Sequence, residues 1–99
     1  MTLDIRTHDV QLPPDLRSKI EDRIRWALGR FVTRAAKVTV RLRDINGPRG
    51  GVDKHCRIEV NVRGQRPLAV EDYDCEILPV VGKTTDRLRR ALSRAIHRP

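Results

Sequence analysis

Residues 2–8 alternate, with Leu3 and Ile5 on one side and Asp4 and Arg6 on the other, which predicts a short strand. Pro13 and Pro14 mark a helix start, because proline fits the first turn, where no intrahelical N–H bond is lost. From there Leu16, Ile20, Ile24, Ala27, Leu28 and Phe31 recur at helical spacing and predict an amphipathic helix to about Val32. Alternation returns from Lys37 to Arg43, with Val38, Val40 and Leu42 on one face. Residues 44–53 carry glycine and proline and read as a loop. Cys56, Ile58, Val60 and Val62 set against His55, Arg57, Glu59 and Asn61 make the clearest strand pattern in the chain. Gly64 and Gln65 then turn it into a short strand around Leu68 and Val70, leaving Tyr73 beyond the last strand. The final helix starts near Glu76, with Pro79 tolerable only in its first turn. Its buried face reads Ile77, Val81, Thr85, Leu88, Leu92 and Ile96.

The order is therefore β-α-β-β-β-α. Alternating strands leave one sheet face wet and the other covered by both helices. That predicts an α+β fold of two layers, a four-stranded sheet with two helices packed on one face. No linker, repeat or low-complexity tract divides residues 1–99, and a chain of 99 residues buries a core without metal or disulfide staples.

Charge changes the picture most in the last quarter. Lys83, Arg87, Arg90, Arg94 and Arg98 fall three or four residues apart, a spacing that stacks side chains along one helix face. With Arg89 they make six basic residues against one acid, Asp86. A charge run is most often a solvated face, but solvated faces normally mix signs to support pairs at i,i+4. This one repels itself by tenths of a kcal/mol per pair, and it sits in a chain of net charge +8. It reads as a surface awaiting an external polyanion. Arginine dominates the basic residues and matches phosphate in a two-pronged way, which favours nucleic acid. On the first helix Lys19, Arg23 and Arg30 form a second stripe, mixed with Glu21 and Asp22 and persuasive only beside the other. Trp26 falls on this flank, placed to stack on a base or an Arg plane; packing against a neighbouring loop is the more ordinary role.

Candidate chemistry narrows further. The loop from Asn46 to Gly51 lacks P-loop spacing and leads into a strand, so it is read as a wide connection, with Arg49 at its tip. Cys56 and Cys75 show no metal or redox spacing, and neither they nor His8, His55 and His97 form a ligand set, so no metal and no cofactor are expected. Cys56 alternates with core residues and reads as a small buried apolar group and a free thiol. His55 points to the opposite face, which spoils a nucleophile pair. The chain is not expected to be an enzyme. It has no apolar run long enough to span a bilayer, and MTLDIRTHDV is no signal peptide.

The segment DINGPRGGVDKHCRIEV, Asp44 to Val60, together with the element order, resembles the hibernation-promoting factor family. These are the ribosome-associated inhibitors of bacteria, also called ribosomal subunit interface proteins. Ile5 and Val10, Leu16-Arg17 and DRLRRAL from Asp86 to Leu92 extend the resemblance over nearly the whole chain. It implies one ribosome-binding domain that occupies the messenger and transfer RNA cleft of the small subunit, two parallel helices carrying basic residues onto ribosomal RNA. The matching positions are Arg23, Arg87, Arg90 and Arg94, to which the spacing itself adds Arg30 and Lys83. Relatives often carry lysine where this chain has Trp26, and a stronger helical stretch than its Gly82-Lys83-Thr84. The chain ends after the second helix and so resembles the family's short form. The resemblance further implies a cytoplasmic protein, monomeric off the ribosome, with no small-molecule substrate and no membrane partner. A general double-stranded-RNA binder is the alternative, since that domain also packs helices on a sheet. A single-strand binder using the sheet needs aromatics on the strands.

Overall fold

The computed structural model describes residues 1–29, 31, 35–45 and 52–97. Six elements follow in the expected order: β1 (Thr2–His8), α1 (Pro14–Leu28), β2 (Ala35–Asp44), β3 (Lys54–Val62), β4 (Leu68–Asp74) and α2 (Ile77–His97). They build an α+β fold with one four-stranded sheet ordered β1-β2-β3-β4. β1 lies parallel to β2, and the other two pairings are antiparallel.

Registry puts the alternating apolar positions in rows: Ile5 beside Val40, Val40 beside Ile58, Ile58 beside Val70. Val38, Val40, Leu42, Cys56, Ile58 and Val60 are fully buried, as are Ile20 and Ile24 of α1 and Leu88 and Leu92 of α2. The helices therefore cover one sheet face, and the core lies between the layers.

Two boundaries and one buried face differ from the sequence reading. Pro14 opens α1, but the helix stops at Leu28. Gly29 adopts φ 51, and its N–H closes the last turn on the Arg25 carbonyl. A positive φ costs glycine little. Phe31 thus follows the helix despite its helical spacing, and Val32 lies outside the described residues. The second difference is that β4 continues through Tyr73, which pairs with His55 across the sheet. Tyr73 is an aromatic on a strand after all. The third is that Val80 and Thr84 of α2 are fully buried beside the predicted Val81 and Thr85. Thr84 Oγ1 donates to the Val80 carbonyl at 2.7 Å and Thr85 Oγ1 to that of Gly82 at 2.9 Å. Bonding back to the preceding turn lets both hydroxyls enter the core without an unmet donor. The side chain of Ile96 is outside the described set.

The open sheet face is polar but not simply wet. Arg41 and Arg57 both donate to Glu59, Arg57 also reaches Glu71, and Glu71 meets His55 Nε2 at 3.1 Å. The His55 ring stacks at 4.7 Å on Tyr73 and is only 7% exposed.

Candidate nucleic-acid interface

The two helices meet side by side in the layer that covers the core face of the sheet. Arg89 of α2 holds its guanidinium carbon 4.6 Å from the Trp26 ring of α1. Further towards both N-termini, a Cβ on Gly82 would sit 3.8 Å from Arg23 Nη1. Moving forward along α1 moves forward along α2, so the helices run side by side in the same direction.

The basic stripe follows the flank of α2 nearest β4. Its first two members are held there by acids. Arg87 Nε donates to Asp72 Oδ2 at 2.8 Å, and Lys83 Nζ lies 3.2 Å from Asp74 Oδ2 and donates to the Tyr73 carbonyl at 3.0 Å. The Arg87 hydrogen bond, aided by the Tyr73 N–H, holds the Asp72 carboxyl below its ordinary range. Asp74 is held low first by the Cys75 N–H at 2.6 Å and then by Lys83. Part of the counter-charge is therefore supplied from within the fold. Both cations remain half exposed, so these are weak surface pairs that a phosphate can replace.

Arg90 and Arg94 differ. Both are exposed and, among the described residues, neither has an acidic partner. With Arg87 they line a trough of about 430 Å³ whose other wall is Ala69, Val70 and Glu71 of β4. Across the crest of α2 lies a second open groove of about 510 Å³, bordered by Trp26, Arg89, Ser93 and again Arg90. Lys83, Arg87, Arg90 and Arg94 thus share a flank, while Arg23 is exposed on the α1 side. Arg30, Arg49 and Arg98 lie outside the described residues. Guanidinium groups at this spacing offer successive forks to the phosphates of an RNA strand.

Trp26 does not pack away against a loop. It is 72% exposed and carries the Arg89 plane. In the sequence Arg89 stands out only as one more positive charge. Its partner lies on another helix, and the signal was positional: residue 89 falls a quarter turn off the buried Leu88.

Cys56 is fully buried, and burial pushes its thiol up to about 11. It is a packed apolar group facing away from His55, and an activated nucleophile is not what this environment makes. No described helix is long and apolar enough to cross a membrane.

The family model described as Sigma 54 modulation protein / S30EA ribosomal protein matches residues 3–98. A solved ribosomal subunit interface protein from Coxiella burnetii superposes with a TM-score of 0.84 at 15% identity, covering 99% of this chain and 100% of that one. The N-terminal domain of Protein Y from Thermus thermophilus gives a TM-score of 0.76 at 17% identity, covering 95% of this chain and 98% of its own. At such identities the likeness is one of fold. None of the curated proteins compared matches the chain.

Proposed function

The chain belongs to the Sigma 54 modulation protein / S30EA ribosomal protein family, and from that premise we propose that it is a ribosome-associated translation inhibitor. It occupies the messenger and transfer RNA cleft of the small subunit, and the flank of α2 meets ribosomal RNA. The observation that carries this is the pair Arg90 and Arg94, exposed and without acidic partners among the described residues, continuing a line begun by Lys83 and Arg87. An uncompensated row of arginines is unfavourable for the isolated helix and becomes favourable when phosphates arrive. Arg23 extends the cationic surface onto the first helix.

Occupancy is the mechanism, so neither cofactor nor small-molecule substrate has a part. The protein is a cytoplasmic monomer until it meets a ribosome. Its partner, the small subunit, offers dense, folded phosphate, and steering by the positive field speeds encounter at low ionic strength.

A sucrose-gradient profile tests this. Added protein should travel with small subunits and whole ribosomes and should suppress translation of a reporter message in stoichiometric proportion. Sedimentation at the top of the gradient in dilute buffer would contradict it. Equal competition by generic duplex RNA would instead mark a double-stranded-RNA binder.

A further inference from the structure

The groove between α1 and α2 carries chemistry that phosphate neutralisation does not use. Trp26 is the chain's single tryptophan, and it stands 72% exposed. A large indole left in water is a cost unless something covers it. Arg89 already lies over its ring at 4.6 Å. So high an exposure alongside that contact leaves most of the indole surface open. Arg90 and one acid, Asp86, border the same groove, and Ser93 adds a hydroxyl that both donates and accepts. At about 510 Å³ and open to solvent, the groove has room for a planar base with its ribose.

We infer that Trp26, with Arg89 and Arg90, forms a stacking site for one unpaired RNA base and the phosphate beside it. Indole gives a π face that accepts any base. Arg89 closes the stack as a cation–π lid or swings from the ring to the phosphate as the base arrives. Arg90 lies between this site and the trough along β4, so a strand could set its base in one groove and its next phosphates in the other. The site adds recognition of unstacked RNA to a surface otherwise reading only charge. It rests on the proposed ribosome reading only for the source of the RNA.

Single tryptophan emission reports the site directly. Titration of the full chain with octa-adenylate RNA at low salt should quench Trp26. An abasic ribose-phosphate oligomer of equal length should bind without quenching. Trp26→Ala should weaken octa-adenylate binding, measured by anisotropy of a labelled strand, on the order of tenfold while leaving the abasic oligomer unaffected. Trp26→Phe should keep most of the affinity and thereby shows that the fold survives change at this position. Absence of quenching at saturation, or equal losses for both oligomers in Trp26→Ala, overturns the inference. A chain that travels with ribosomes but shows no base-dependent quenching loses this site and keeps the ribosome reading. A chain quenched by octa-adenylate but absent from ribosomal fractions does the reverse.

Discussion

Arg87 Nε donates to Asp72 Oδ2 at 2.8 Å, tying the middle of α2 to the edge strand β4. The pair explains how a helix with so many like charges is tolerated before any partner arrives: Asp72 and Asp74 temper its N-terminal half. The same acids compete with RNA for Arg87 and Lys83. Replacing Asp72 by Asn should therefore release Arg87. Because the Arg87 side chain is 54% exposed, the stability loss should stay below about 1 kcal/mol. Affinity for a ribosomal RNA fragment should rise about two- to fivefold at low salt, as expected for removing one nearby negative charge in high dielectric. Anisotropy titration and urea unfolding read the two effects separately.

Gly82 lies inside α2 without a positive φ, and an added Cβ would meet only Arg23 Nη1 at 3.8 Å, an ordinary contact. Nothing there demands glycine. Gly82→Ala should raise stability by about 0.5–1 kcal/mol in urea unfolding. If Arg23 needs the gap to reach RNA, the same variant will bind RNA less well.

The two cysteines should behave oppositely. Cys75 is exposed and Cys56 buried, with its thiol pushed up to about 11. A thiol reagent at pH 8 should modify one cysteine per native chain quickly and the second only on unfolding. Rapid modification of both would place Cys56 outside the core.

Acid should weaken the fold through its sheet carboxylates. Glu71 is held below its ordinary 4.5 chiefly by His55, Glu59 below 4.5 chiefly by Arg57, and Asp72 below 3.8 chiefly by Arg87. Each binds fewer protons folded than unfolded near pH 4. Their contribution is complete above the unfolded values and is lost as pH falls through the depressed ones. Urea midpoints should decline from about pH 4.5 downward. Glu71→Gln should make that decline shallower.

Strands β2 and β3 were legible because apolar and polar residues alternate along them with one face fully buried. β4 was legible only at its start. After Val70 comes Glu-Asp-Tyr-Asp, acids on both faces, and no apolar alternation marks the strand. It persists because its helix-side acids meet Arg87 and Lys83, partners far along the chain. The end of α1 is hidden for a related reason: Phe31 keeps the helical period, while Gly29 ends the helix through a backbone angle. The cationic stripe was visible as a spacing of residues. Its division by the crest of α2, and the meeting of Trp26 with Arg89, depend on how two helices settle side by side, which neither helix encodes alone.

The most direct measurement is the salt dependence of binding to purified small ribosomal subunits, for the native chain and for the variant with Arg87, Arg90 and Arg94 changed to Gln. The native chain should lose on the order of a hundredfold or more in affinity between 50 and 200 mM salt, and the variant's log–log slope should be smaller by about two to three. An unchanged slope and undiminished binding in the variant would contradict the claim that this flank of α2 holds the ribosome.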